Sequence, residues 1–158
     1  MHYNEVKKKG STLTNLQTHI VFSTKNREPM ISDSIQHRVY EYMSGVIRGE
    51  KCVLLGIGGM SDHVHLLIKI KADLSVSELM KRVKGNTSHW NNENRITPRR
   101  FSWQDGFGAF SVSQSQKDAV FSYIANQQEH HRKKTFQEEF IDFLKKQKIE
   151  YNEKYLWS

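Results

Sequence analysis

Hydrophobic and polar positions change their period several times along the chain, and each change predicts a new element. Leu16 to Lys25 is apolar at its centre, which predicts a first strand. Residues 32–48 repeat apolar side chains at spacings of three and four, which is typical of one helix face. Two further strands are predicted over 51–57 and 63–70, with Gly58-Gly59 interpreted as the turn of a hairpin between them.

The second half of the chain is predicted to be mainly helical. Ser75-Val76-Ser77-Glu78 has the pattern of a capping box and predicts a helix start, followed by an apolar face that runs to Trp90. This order of elements favours an α+β domain of the split βαβ type, with helices on one face of the sheet. The remaining predicted elements are a strand over 109–113, a helix over 115–131 and a last helix over 136–147.

Length and composition narrow the class of protein. The 158 residues predict a single domain over residues 12–158, after a flexible N-terminal tip at 1–11. The apolar runs fall far short of the roughly 20 residues of a membrane span, and the polar start lacks the apolar stretch of a signal peptide. The single cysteine, Cys52, excludes an internal disulfide. We therefore expect a cytoplasmic location.

The charge balance is compatible with a nucleic-acid partner. Lys and Arg number 24 against 17 acidic residues, a formal net charge of +7, and 11% of residues are aromatic. Phosphates attract such cations and bases stack on such rings, although a solvated basic surface is the alternative interpretation. The candidate contacts are Lys25, Arg27, Lys81, Arg82, Lys84, Arg99, Arg100, Arg132 and Lys133.

The first candidate for chemistry is His63-Val64-His65. Alternation along a strand places both imidazoles on one face, while Val64 and Leu66 point to the other, which is then the core face. Two neighbouring imidazoles can chelate a metal. The motif is short, and a pair of solvated strand histidines is the alternative.

A second candidate lies on the helix predicted over 115–131. Tyr123 and Gln127 are spaced i and i+4, so they share a face of that helix. A tyrosine can act as a covalent nucleophile and a glutamine offers an oxygen ligand. The alternative is a tyrosine in the core or in an interface. His19 is a further candidate for this site, but a lone strand histidine is more often structural.

Four segments in this order resemble the small single-tyrosine transposases of bacterial insertion sequences, in the HUH endonuclease superfamily. The segments are His19–Phe22, Asp62–Leu67, Trp103–Phe110 and Tyr123–Gln127. The resemblance extends from about Thr12 to Trp157. One departure is Ser61, where many relatives carry proline.

The resemblance implies a ferredoxin-like or RRM-like antiparallel sheet and a DNA transposase. Such enzymes cleave and rejoin single-stranded DNA at imperfect hairpins, through a 5′-phosphotyrosine on the residue that matches Tyr123. The resemblance implies a divalent metal, magnesium or manganese, on His63, His65 and Gln127. It also implies a homodimer, in which the tyrosine helix of one subunit can complete the other's site.

Two other functions remain open from the sequence. An RRM-like sheet with a basic surface can bind single-stranded nucleic acid without cutting it. An unrelated metal-dependent hydrolase would use a histidine-bound metal without a tyrosine nucleophile. The resemblance names no base for the phenol, whose ordinary pKa is near 10.

Overall fold

The computed structural model describes residues 10–157, so the predicted tip at 1–11 lies mostly outside the described residues. Within 10–157, no helix is both long enough and apolar enough to cross a bilayer. The strands are β1 (Leu16–Ser23), β2 (Val53–Met60), β3 (His63–Ile70) and β4 (Gly108–Ser111), and the helices are α1 (Asp33–Gly49), α2 (Val76–Glu93), α3 (Lys117–Ala125), α4 (Gln127–His130), α5 (Phe136–Lys146) and α6 (Glu153–Leu156).

The four strands form one antiparallel sheet in the order β2-β3-β1-β4. On its first face, Ile20 and Phe22 of β1 and Leu66 of β3 are fully buried against α1 and α2. Met43 and Leu79 are the corresponding fully buried side chains of the two helices. This layer is the main hydrophobic core, on the face that the alternation in β3 predicts. The predicted α+β class with an antiparallel sheet is confirmed.

The C-terminal helices cover the second face of the sheet. Val21 of β1 and Phe110 of β4 pack there against Phe136, Phe140 and Leu144 of α5. The sequence predicts helices on one face of the sheet. Helices α1 and α2 lie on that face, but α3 to α5 cover the other face as well. Paired residues of β1 and β3 point to the same side, so the partners of His65 and His63 in β1 also lie beneath this cover.

The hairpin between β2 and β3 turns later than predicted. Gly58 and Gly59 lie inside β2, and the chain reverses at Ser61-Asp62. The two glycines have negative φ, so they serve close packing rather than a turn. A Cβ on Gly58 would lie 2.2 Å from the carbonyl oxygen of Ile124, and one on Gly59 would lie 2.2 Å from that of His63.

The prediction of one continuous helix over 115–131 is wrong. A 3₁₀ turn at Gln114–Gln116 precedes α3, and Asn126 (φ −102°, ψ 27°) separates α3 from α4. The N-cap of α3 is Gln116, which makes no side-chain cap hydrogen bond. In contrast, the predicted cap of α2 is present, since Ser75 Oγ accepts from the Glu78 amide at 3.0 Å.

Candidate metal and tyrosine site

The paired histidines lie on the second face of the sheet, beneath the C-terminal helices. Side-chain alternation in β3 directs both rings away from the main core, and both residues are 0% exposed. The ring centroids are 5.2 Å apart. The alternative of two solvated strand histidines is therefore wrong, because α3 to α5 bury this face.

Each ring of the pair has a hydrogen-bond partner at Nδ1, which leaves Nε2 facing the same interior space. His63 Nδ1 lies 2.7 Å from the carboxylate of Asp62, and His65 Nδ1 lies 2.8 Å from His19 Nε2. Burial lowers the pKa of His19 to about 3, helped by the neighbouring His65. Burial also lowers the pKa of His65 to about 4. The rings of His19 and His65 are therefore neutral at neutral pH.

Gln127 and His131 approach the pair from the end of α4. Gln127 Oε1 lies 3.1 Å from His63 Nε2 and 3.0 Å from His131 Nε2. The amide nitrogen of Gln127 donates to the Tyr123 carbonyl at 3.2 Å, which fixes the orientation of the amide. His131 Nδ1 donates to the Lys134 carbonyl at 2.6 Å.

Glu139 of α5 places a buried carboxylate among these rings. Its Oε1 accepts from His65 Nε2 at 2.8 Å, and its Oε2 lies 3.1 Å from His131 Nε2 and 3.2 Å from His130 Nε2. Burial acts to raise the pKa of Glu139, but hydrogen bonds from His131 and His65 outweigh it and hold that pKa far below its usual range. Glu139 is therefore ionised, despite being 2% exposed.

Tyr123 lies between this cluster and solvent. Its hydroxyl donates to Glu139 Oε2 and lies 3.1 Å from His130 Nε2. Its ring packs edge-on against His65, with centroids 5.7 Å apart. Burial raises the pKa of Tyr123, and the Glu139 carboxylate raises it further, so the phenol is neutral. The side chain lines two cavities, of about 560 and 140 Å³, that open beside α3 and α5.

The structure thus brings together His63, His65, Gln127 and Tyr123, as the sequence predicts, but it adds two residues that the prediction lacked. The sequence contains only a weak signal that Glu139 and His131 belong to the site. Thr135-x-x-Glu138 forms a complete capping box at the start of α5. With that start fixed, Glu139 falls on the same face as Phe136 and Phe140, and a carboxylate on an apolar helix face needs a partner.

The predicted nucleic-acid contacts fall into separate groups. Lys81, Lys84 and Arg100 line a groove of about 440 Å³ beside α2, which packs on the first face of the sheet. Arg132 and Lys133 line a cavity of about 420 Å³ beside Asp62 and His131, next to the candidate site. Two of these groups therefore line two different cavities.

Several of these cations already have partners within the chain. Arg82 pairs with Glu50 and Glu78, and Lys84 donates to the carbonyls of Gln104, Asp105 and Gly106. The remaining contacts are Arg99 with Glu28 at 3.1 Å, Arg132 with Glu129 at 3.4 Å, and Arg27 stacked 5.6 Å over the Trp157 ring.

The structure has an antiparallel sheet, a buried histidine pair and a tyrosine beside that pair. This combination fits the single-tyrosine transposases that the sequence resembles. The family described as IS200-like transposases matches residues 12–127. The chain belongs to this family. No curated protein matches the chain. Glu139 and His131 lie beyond the matched residues.

Two solved structures share the fold. One is a candidate transposase from Deinococcus radiodurans, with a TM-score of 0.61 and 21% sequence identity, and the match covers 77% of this chain and 97% of that one. The other is a REP-associated tyrosine transposase bound to a REP hairpin, with a TM-score of 0.57 and 13% identity, and the match covers 72% of this chain and 67% of that one.

Proposed function

We propose that this protein is a transposase that cleaves and rejoins single-stranded DNA at hairpin-marked ends, with Tyr123 as the nucleophile. Membership of the transposase family supports the class. The observation that carries the finer proposal is the position of Tyr123, whose ring packs on His65 of the same chain and whose hydroxyl faces the cavity beside α3.

The proposed reaction exchanges one phosphodiester for another. The phenolic oxygen of Tyr123 bonds to phosphorus while the bond from phosphorus to the 3′ oxygen breaks. The phenol loses its proton and the departing 3′ oxygen gains one, which leaves a 3′-hydroxyl and a 5′-phosphotyrosine. Attack by another 3′-hydroxyl reverses the step and joins strands, so the reaction needs no nucleotide cofactor.

His63, His65 and Gln127 are the proposed holders of a divalent metal, magnesium or manganese. Their donor atoms fit such an ion, because His63 Nε2 and Gln127 Oε1 face each other at 3.1 Å while the Nδ1 atom of His63 is bonded to Asp62. When bound, the ion would polarise a phosphoryl oxygen and stabilise the charge that develops on it.

The chain itself positions and protonates the nucleophile. The Glu139 carboxylate accepts the hydrogen bond of the Tyr123 hydroxyl and so fixes the direction of the phenolic oxygen. The raised pKa of Tyr123 keeps the phenol protonated in the absence of DNA. Burial of the histidines and of Glu139 excludes water from the other side of the tyrosine, which disfavours hydrolysis of the covalent intermediate.

The proposed DNA partner is a single strand with an imperfect hairpin, and the proposed location is the cytoplasm. The REP-associated transposase with a similar fold was solved with a REP hairpin. A homodimer is also proposed. Tyr123, His65 and Glu139 of one chain lie together, which supports a site that uses the chain's own tyrosine.

The proposal is tested with end-labelled single-stranded DNA that carries imperfect palindromes from the flanks of the gene. Wild type, Tyr123→Phe and the matched control Tyr151→Phe are incubated with this DNA and Mn²⁺ and run on a denaturing protein gel. Tyr151 is 37% exposed and lies outside the site. We expect labelled protein for wild type and for the control, and none for Tyr123→Phe.

Two results would contradict the proposal, and each would favour a different function. Hairpin binding without any labelled protein, across several palindromes, would favour the binding module. Cleavage that survives in Tyr123→Phe would indicate a water nucleophile and therefore a metal-dependent hydrolase.

A further inference from the structure

We infer that His131 and Glu139 are also metal ligands, so that three imidazoles, a carboxylate and the Gln127 amide oxygen hold the ion and favour Mn²⁺ over Mg²⁺. The inference deepens the metal site of the proposed function and rests on it. It assigns a role to the segment after residue 127, which lies outside the matched family region.

The four side chains converge on one small volume. One ligand atom from each of His63, His65, His131 and Glu139 lies within 4.8 Å of the others. The exposed fractions of these side chains are 1%, 0%, 6% and 2%, respectively. Four potential ligands that are this close and this buried form an enclosed site rather than a solvated cluster.

The hydrogen bonds at Nδ1 determine what two of the rings present at Nε2. The Lys134 carbonyl can only accept, so His131 Nδ1 carries the hydrogen of their 2.6 Å bond. The Asp62 carboxylate likewise accepts from His63 Nδ1 at 2.7 Å. A neutral ring at either position therefore has a lone pair on Nε2, which is the form that binds metals.

Those lone pairs face other acceptors. His131 Nε2 lies 3.0 Å from Gln127 Oε1 and 3.1 Å from Glu139 Oε2. Electron-rich atoms at these distances repel one another unless positive charge lies among them, either as an extra proton on a ring or as a metal ion. A divalent ion would contact all of these atoms together.

The partners at Nδ1 are those found at metal sites. Metal-bound histidines almost always donate their other ring N–H to a carboxylate or a backbone carbonyl. His63 and His131 do so to Asp62 and Lys134. His65 pairs with His19 instead, and the proton between the two rings can reside on either nitrogen.

The donor types decide between metals. Mg²⁺ prefers oxygen ligands and retains its water, whereas imidazole nitrogen favours first-row transition ions. A site with three imidazoles and one carboxylate therefore favours Mn²⁺ over Mg²⁺. If only His63, His65 and Gln127 held the ion, an exchangeable ligand would take the place of His131 and another that of Glu139. The preference for Mn²⁺ over Mg²⁺ would then be weaker.

Binding of Mn²⁺ to the metal-free, full-length protein tests the inference. We compare wild type, His131→Ala and Glu139→Gln by calorimetry and by the electron paramagnetic resonance signal of free Mn²⁺. His37→Ala and Glu138→Gln are matched controls, since His37 has a 90% exposed side chain and glutamine can replace Glu138 in the capping box. We expect each ligand variant to bind Mn²⁺ at least about tenfold more weakly and each control to match wild type.

A second measurement covers the case in which Glu139→Gln does not fold. Pulsed paramagnetic resonance of Mn²⁺ bound to wild type should show nitrogen couplings from three imidazoles, with one lost in His131→Ala. Couplings from two imidazoles in wild type, or unchanged Mn²⁺ affinity in both ligand variants, would overturn the inference. So would Mg²⁺ competing with Mn²⁺ at equal concentration.

Failure of this inference and failure of the proposed function give different results. Tyr123→Phe should bind Mn²⁺ like wild type while forming no covalent DNA complex. Mn²⁺ binding that depends on His131 and Glu139, in a protein that never links to DNA, would retain the metal site and remove the transposase mechanism. Covalent linkage to DNA with unaltered Mn²⁺ binding in both ligand variants would retain the transposase mechanism and remove His131 and Glu139 from the metal site.

Discussion

The chemistry of the site depends on which nitrogen of each histidine is occupied. His63 and His131 are oriented by one hydrogen-bond acceptor each, the Asp62 carboxylate and the Lys134 carbonyl. These partners turn both Nε2 atoms toward Glu139 and Gln127. A residue that binds no metal itself, such as Asp62, therefore influences metal affinity by orienting the ligand beside it.

At the residue scale, we predict that Asp62→Asn weakens Mn²⁺ binding by about 10- to 100-fold. The asparagine amide can donate to His63 Nδ1, which would move the ring proton to Nε2 and remove the lone pair that faces Gln127. Asp73→Asn is the control, because Asp73 pairs with Lys71 away from the site. Calorimetry with Mn²⁺ measures the effect, and equal affinities of the two variants would show that Asp62 does not set the tautomer.

The sequence predicts part of this arrangement and misses part for a physical reason. Alternation along β3 places His63 and His65 on one face, and the spacing of Tyr123 and Gln127 places them together. The contact of His65 with Glu139 joins residues 74 positions apart. Such a contact depends on how α5 packs on the sheet, which no local pattern encodes.

At the level of elements, close packing of α3 on β2 brings the tyrosine to the histidines. Gly58 is paired with His65 across the strands, so both face the C-terminal helices. The absence of a side chain at Gly58 lets the backbone at Ile124 approach. The sequence indicated a turn at Gly58-Gly59 because glycine is common in turns, and the requirement for close packing is visible only once α3 is in place.

We therefore predict opposite effects for two glycine substitutions. Gly58→Ala should lower the free energy of unfolding by about 1–3 kcal/mol, because its Cβ would lie 2.2 Å from the Ile124 carbonyl oxygen. Gly45→Ala should raise it by about 0.5–1 kcal/mol, since that site on α1 is exposed and has no atom within 4 Å. Urea denaturation measures both, and a Gly58→Ala variant as stable as wild type would contradict the packing argument.

For the whole molecule, helices cover both faces of the sheet, and candidate basic residues lie beside each helical layer. Lys133 lines the cavity beside Asp62 and His131 as well as the larger cavity beside Tyr123, whereas Arg82 lies on α2 between two carboxylates. A cation that is already paired gains less from a phosphate, because it must give up its carboxylate partners. Lys133 is therefore a stronger candidate for a DNA contact than Arg82.

We predict that Lys133→Ala reduces the salt dependence of hairpin binding by about 0.7–0.9 in the slope of log affinity against log salt, which is the share of one phosphate contact. Arg82→Ala should change that slope less, because Glu50 and Glu78 hold its guanidinium. Fluorescence anisotropy with a labelled hairpin at several salt concentrations measures both slopes. A larger change for Arg82→Ala would move the DNA path to the α2 side of the molecule.

The overall class could be predicted because the strand and helix periods are strong and the sheet is regular. The second helical layer could not, since the pattern of α5 does not show which face of the sheet it covers. That layer buries the histidine pair and brings Glu139 to Tyr123, so the part of the fold that sequence patterns describe least well is the part that encloses the site.

The central claim, that Tyr123 becomes linked to DNA, is tested most directly by locating the covalent bond. Trypsin digestion of the complex formed with a single-stranded hairpin and Mn²⁺ releases the peptide of residues 118–132, in which Tyr123 is the sole tyrosine. We predict that fragmentation mass spectrometry places the nucleotide on Tyr123 through its 5′ phosphate. A nucleotide on another residue, or no linked peptide while the DNA is cleaved, would contradict the account.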